Sequence, residues 1–113
     1  MSNEQLCIAA LGGNTEARNA LVENNLRFIK RTAYEIWSAQ RELNAALGIE
    51  INDLVQEGSL GLLDCISGYN PDTGNKFLTY AAPAIRNAMV DYIVGGTPPL
   101  KRRIWEVSSG WMM

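Results

Sequence analysis

The sequence predicts an all-α fold, a compact bundle of about four helices, and three observations carry that prediction. Apolar residues recur at spacings of three and four through residues 15–47, 52–66 and 77–93, the period of a helix with one buried face. Between these stretches stand Gly12-Gly13, Gly48 and the run from Gly68 to Gly74, and after the last come Gly95-Gly96 and Pro98-Pro99, where a helix has to stop. A chain of 113 residues with 47% hydrophobic content supplies apolar material for a single core.

Residues 3–11 read as a short helix closed by Gly12-Gly13. Asn14 or Thr15 then caps a long helix, with Glu16 in the first turn where a carboxylate favours the positive end of the helix dipole. Its apolar stripe is Val22, Leu26, Ile29, Ala33, Ile36 and Trp37, with Leu21 and Phe28 beside it. The opposite face carries Glu23, Arg27, Lys30, Arg31 and Glu35. The basic trio Arg27, Lys30 and Arg31 reads as a solvated face. The pattern continues through Gln40, Leu43 and Leu47 until Gly48.

The central stretch runs from Asn52 to Ile93 as helix, tight turn, helix. Asn52 is positioned to cap, with Asp53, Gln56 and Glu57 in the first turns. Leu54, Val55, Leu62, Leu63 and Ile66 form the apolar stripe, and Gly58 and Gly61 lie within it. Each glycine costs roughly 1 kcal/mol relative to Ala in a helix, so it needs a compensating role, either close helix packing or bare backbone offered to a partner. Gly68 is expected to end this helix in the left-handed conformation. Asn70-Pro71-Asp72-Thr73-Gly74 then reverses the chain, because Pro presets its own dihedral and Gly relieves the last position. The second helix carries Phe77, Tyr80, Ala81, Ala84, Ile85, Ala88, Met89, Tyr92 and Ile93 at three-four spacing. Pro83 removes one hydrogen bond and crowds the Thr79 carbonyl, which predicts a kink or a late start.

Residues 1–94 are thus the expected domain and 95–113 a tail outside it. In the tail Leu100, Ile104 and Val107 define an apolar stripe, joined by Trp105 and Trp111, and Lys101, Arg102 and Arg103 stand against Glu106.

Composition removes several function classes. The chain contains no His, so common metal sites and His-based acid-base catalysis lose their usual residue. No Gly-rich phosphate loop or Ser nucleophile elbow replaces it, and the expectation is a protein without enzymatic activity or cofactor. Cys7 and Cys65 are far apart, without a CxxC companion, on otherwise apolar helical faces, and read as buried thiols. No apolar run is long enough for a membrane span and the N-terminus lacks a signal pattern, which predicts a cytoplasmic chain without a membrane partner.

Leu21 to Arg27, Asp53 to Leu62, and Lys76 to Ala81 with Ile85 to Ala88, in that order, resemble region 2 of bacterial RNA polymerase sigma factors of the sigma-seventy family. Leu21-Val22-Glu23-Asn24-Asn25-Leu26-Arg27 is similar to the family's LVEANLR. Asp53 to Leu62, DLVQEGSLGL, is similar to DLIQEGNIGL. Lys76-Phe77-Leu78-Thr79-Tyr80-Ala81 and Ile85-Arg86-Asn87-Ala88 resemble KFSTYA and IRQA. The resemblance covers roughly residues 18–93.

This resemblance implies a helical domain that binds the polymerase core, docking on the clamp coiled coil of the largest catalytic subunit through Asp53, Gln56, Glu57, Ser59 and Leu63. It also implies a hold on unstacked bases of the promoter minus-ten non-template strand through Tyr69, Lys76, Tyr80, Arg86 and Asn87. Flipped bases need aromatic faces and basic backbone contacts, which these residue types supply. Two departures accompany the match: Pro83-Ala84 stand where many members carry two tryptophans, and Asp91 replaces a common basic residue. Through residue 94 the chain has seven Lys and Arg against eleven Asp and Glu, so DNA affinity is expected to be weak and to depend on local patches. The expected role is a region 2 module in transcription initiation. It would act as one subunit of a split sigma factor, completed by a partner for minus-thirty-five recognition, or as a truncated sigma factor; an anti-sigma factor is a further possible partner. The alternative is an interaction protein, such as a decoy that occupies the clamp and has lost DNA binding.

Overall fold

The computed structural model describes residues 1–95, and all of its regular structure is helical. The tail expected over 95–113 lies, beyond Gly95, outside the described residues. Helix α1 (Asn3–Leu11) starts in a reciprocal cap: the Ser2 hydroxyl accepts from the Gln5 amide at 3.1 Å, and the Gln5 side chain accepts from the Ser2 amide at 2.9 Å. Of the two candidate caps for α2 (Thr15–Asn24), Asn14 is the one used, its Oδ1 accepting from the Ala17 amide at 3.0 Å.

The long helix expected to run from there to Gly48 is three helices: α2, α3 (Leu26–Ala39) and α4 (Arg41–Ala46). The first break is at Asn25, which is buried. Its Nδ2 donates to the Leu21 carbonyl at 2.7 Å, and its amide pairs reciprocally with that of Asn3 on α1, at 3.0 and 3.1 Å. A side-chain amide that binds its own helix's carbonyl and a neighbouring helix stabilises a bend that a three-four pattern does not reveal. The second break, at Gln40, is held by Asn44, whose Nδ2 donates to the Trp37 carbonyl at 2.9 Å. The Trp37 indole then reaches forward to the Ile49 carbonyl at 2.7 Å. Gly48, with φ of 75°, closes α4 as its position in the sequence predicts.

Helix α5 (Ile51–Asp64) begins one residue before the expected cap. Glu50 rather than Asn52 occupies the cap position, because Asp53 Oδ2 folds back to accept from the Glu50 amide at 2.8 Å. The far end also differs: α5 stops at Asp64 and a short 3-10 turn, Ile66–Gly68, follows without a left-handed Gly68. What Gly68 provides is space, since a Cβ there would overlap the Tyr80 hydroxyl. The predicted reversal forms as a second 3-10 turn, Pro71–Thr73, with Asn70 Oδ1 accepting from the Asp72 amide at 2.9 Å and Gly74 left-handed at φ 81°.

Helix α6 (Phe77–Val94) has no late start; it runs continuously with Pro83 inside it. Its first turn is capped from 73 residues away, by Glu4 of α1, whose Oε2 accepts from the Phe77 amide at 2.7 Å. That hydrogen bond, followed by one from the Glu4 amide and the charge of Lys76, holds the Glu4 carboxyl below its ordinary range.

The core sits where α5 crosses α6, with α3 packed over α5 and α1 over α2. Leu54, Leu62, Ile85 and Met89 meet Leu21 and Ile29 there, all buried. Gly58 and Gly61 are what let α5 approach. A Cβ on Gly61 would lie 2.8 Å from both the Ala84 carbonyl oxygen and the Ala88 Cβ, and one on Gly58 would overlap the Met89 methyl. Of the two roles open to these glycines, close packing is the one they fill.

Candidate functional site

Helix α6 buries Phe77, Ala81, Ile85, Met89 and Tyr92 and turns its other side to solvent. Four of the expected DNA-binding residues share that outward side: Lys76, Tyr80, Arg86 and Asn87 are all exposed. Tyr80 is not a free ring. Its hydroxyl donates to the Cys65 carbonyl at 3.0 Å, and its face leans on Tyr69 with ring centroids 5.5 Å apart. Only 36% of it remains open to solvent, which fixes one edge and leaves one surface for stacking.

Tyr69, the fifth expected residue, lies behind this face. It is 6% exposed, packs edge-on against Phe77 at 5.4 Å and 83°, and donates its hydroxyl to the Asn75 carbonyl at 2.6 Å. Burial, then the nearby Glu4 carboxylate, pushes its phenol above the ordinary range, so it stays protonated as a donor.

Beside the α6 face runs a groove of about 710 Å³ formed with α3. Phe28, Arg31 and Glu35 line one wall; Pro83, Arg86 and Asn87 line the other. The Arg31 guanidinium lies 5.9 Å from the centre of the Phe28 ring, a cation over an aromatic face. Sequence reasoning assigned Phe28 to the apolar side and Arg31 to a solvated face. The signal available was their spacing of three, which puts them on one edge of the helix, but only the approach of α6 makes that edge the wall of a groove. Lys30 and Arg27 are exposed and conform to the solvated reading.

The second expected surface is the outer side of α5. At 100° per residue Asp53, Gln56 and Leu63 project from the side opposite Leu54, Gly58, Gly61 and Leu62, which are buried, while Ser59 and Glu57 stand at its two edges, Glu57 on the edge beside Gly61 that faces α6. Gln56 is exposed, and Asp53, Glu57, Ser59 and Leu63 are half-buried. Asp53 is engaged with the Glu50 amide, and the Ser59 hydroxyl donates to the Val55 carbonyl at 2.8 Å. In the middle of this surface stands Leu60, 50% exposed, which the sequence reading passed over. It is the leucine that falls off the helix's apolar stripe, and that displacement was its signal. Between α5 and α6, Glu57, Asp64 and Asp91 surround Leu60, Gly61 and Ala88 in an acidic groove of about 410 Å³.

The two cysteines are free. Cys7 is buried, its thiol directed at the Ile66 carbonyl at 3.8 Å; Cys65 is half-buried, its thiol 3.2 Å from the Leu62 carbonyl. Burial pushes both thiols above their ordinary range, which suppresses the thiolate. Among the described residues no group of three or more His, Cys, Asp or Glu could hold a metal ion, and no helix is long and apolar enough to cross a membrane.

The described residues thus form an all-helical module with an acidic, leucine-bearing α5 face and an aromatic, basic and amide-bearing α6 face. The chain belongs to the Sigma-70 region 2 family, whose model matches residues 21–96. It is similar to the RNA polymerase sigma-B factor of Myxococcus xanthus, 36% identical over 74 residues, which are 66% of this chain and 27% of that protein. It is also similar to the RNA polymerase sigma factor SigA of Mycoplasma genitalium, 44% identical over 73 residues, 65% of this chain and 13% of the relative. The RNA polymerase sigma-C factor of Myxococcus xanthus is 31% identical over 100 residues, 82% of this chain and 31% of that relative. The chain therefore spans less than a third of these relatives. No solved structure gives a significant match.

Proposed function

We propose that this chain is a sigma factor region 2 module that binds the RNA polymerase core and takes part in recognition of the promoter minus-ten element in transcription initiation. Its membership of the Sigma-70 region 2 family supports the general role. The observation that carries the finer reading is the α6 face: Lys76, Tyr80, Arg86 and Asn87 stand together beside a groove bearing Arg31 and Phe28. Unstacked bases are held by aromatic faces, amide hydrogen bonds and cations along the backbone, and all three are present within one face and its groove. Tyr69 serves from behind by bracing Tyr80, since its own ring is buried.

Polymerase binding is assigned to α5. Asp53, Gln56, Glu57, Ser59 and Leu63, with Leu60 at their centre, offer an apolar contact ringed by acidic and polar groups, a surface suited to a basic helical partner such as the clamp coiled coil. The module would act in the cytoplasm, as one subunit of a split sigma factor or as a truncated one, with a partner protein supplying minus-thirty-five recognition. A reconstitution tests the proposal: purified chain and polymerase core, with and without candidate partners, on a supercoiled promoter template and on a labelled minus-ten single strand. Core binding together with Tyr80-dependent strand binding is the expected result.

A second reading rests on a specific observation. Pro83 and Asp91 share the outward side of α6 with the four candidate DNA residues, and the first 94 residues carry four more acidic than basic groups, eleven against seven. Both features weaken a hold on phosphates. If the chain binds the core and lowers initiation by another sigma factor without opening any promoter itself, it is a decoy on the clamp.

A further inference from the structure

We propose that the groove between α3, α4 and the end of α6 is a docking site for this chain's own C-terminal segment, residues 96–113, seated through Leu100, Ile104 and Trp105. The groove measures about 250 Å³; Ile36, Ala39, Val90, Ile93 and Val94 form its apolar walls, with Gln40 and Asn44 as its polar members. Two of its walls are apolar side chains left open to water, Val90 at 39% and Val94 at 74% exposure. Leu43 and Leu47, at the neighbouring end of α4, are exposed as well.

A second observation is independent of this apolar character. Asn44 is fully buried and donates its Nδ2 to the Trp37 carbonyl, but its Oδ1 has no hydrogen-bond partner among the described residues. Buried side-chain oxygens are nearly always paired, and this one is left unpaired on a residue that lies against the groove. The indole of Trp105 is a donor with no acceptor role, on a large apolar ring.

The occupant follows from where the chain goes. It leaves α6 at Gly95, directly after Ile93 and Val94, which are themselves groove walls. The next residues, Gly96-Thr97-Pro98-Pro99, do not extend a helix, and five residues from Gly95 to Pro99 reach up to roughly 17 Å. Val90 and Val94 are one turn apart, about 6 Å along the axis, so the tether spans the groove with length to spare. Leu100 and Ile104, just past this tether, supply apolar side chains for the groove. Lys101, Arg102 and Arg103 against Glu106 give the segment a charge opposite to that of residues 1–94. A tether this short sets an effective concentration of the order of millimolar, so even a weak contact is populated.

The test is NMR on the full chain with labelled methyl groups and indoles, the indole signals assigned through Trp105→Phe and Trp111→Phe. Docking predicts nuclear Overhauser contacts from Leu100, Ile104 and Trp105 to the methyls of Val90, Val94 and Ile36, at positions independent of protein concentration. Val90→Lys with Val94→Lys should abolish those contacts while the signals of α1, α2 and α5 stay in place. Ile104→Asp, which alters no residue of the domain, should shift the same Val90 and Val94 methyls and so guards against misfolding of the groove variants. Absence of any contact between the segment and the groove overturns the proposal. So do contacts that appear only between differently labelled molecules, which would assign the groove to a second copy.

Discussion

Replacing Gly61 by Ala sets two effects of known size against each other. In an isolated helix the change stabilises by about 1 kcal/mol, because Ala restricts the unfolded chain and suits the helix. At this position the new methyl would lie 2.8 Å from the Ala84 carbonyl oxygen and 2.8 Å from the Ala88 Cβ, with the Ala84 carbonyl carbon at 3.4 Å. Two of these three atoms belong to the α6 backbone, so relief requires the helices to separate rather than a side chain to turn. Overpacking of that kind costs typically 1–3 kcal/mol, and α5 against α6 is the most extensive helix contact among the described residues. The net expectation is destabilisation by about 1 kcal/mol, read as a lower urea midpoint at unchanged slope. Gly58→Ala is the internal control, since its methyl meets the flexible end of Met89 first, with Ile85 and Ile29 methyls at 3.2 and 3.3 Å. It should cost less than Gly61→Ala. A Gly61→Ala chain more stable than the parent would refute the packing argument and return this glycine to the role of bare backbone kept for a partner.

Glu4→Ala removes the carboxylate that caps α6 and should cost about 1 kcal/mol at neutral pH. Because the folded-state pKa of Glu4 is depressed, this contribution is full above the unfolded carboxyl range near pH 4.3 and is lost as pH falls through the folded value. Urea titrations should therefore show the parent and variant converging in acid, and a pH-independent gap would contradict the cap. Asn25→Ala leaves the Leu21 carbonyl and the Asn3 amide without their partner and should lower stability by about 1–3 kcal/mol in the same assay; a neutral result would mean the α2–α3 bend does not depend on it. Glu57→Lys should abolish capture by polymerase core while far-ultraviolet circular dichroism stays native, because reversing a docked charge costs several kcal/mol; native spectra with unchanged capture would remove α5 as the docking face. Tyr80→Ala should weaken binding of a minus-ten single strand by about 1–3 kcal/mol in a fluorescence titration, and affinity that survives it would place the strand elsewhere.

Much of the fold is legible in local chemistry. The helical class, the Asn14 cap, the stop at Gly48 and the Asn70 to Gly74 reversal each follow from residues within a few positions of one another, acting through spacing, side-chain caps and backbone freedom. Tyr80, Arg86 and Asn87 come to one face for the same reason, since helical period alone puts them there, and Lys76 stands exposed at the cap of the same helix. Tertiary structure decided the rest. The long helix divides at Asn25 because an amide on α1, 22 residues away, makes the division favourable, and α6 begins at Phe77 under a carboxylate 73 residues away. Tyr69 is in the core rather than on the outward face with Tyr80 because Phe77, Tyr80 and the Asn75 carbonyl converge on it after the chain reverses. Phe28 and Arg31 become the wall of a groove only when α6 lies alongside α3. The period of a helix states which residues share a side, whereas hydrogen bonds and packing between distant segments decide where a helix bends, what caps it and which of its edges becomes the wall of a groove.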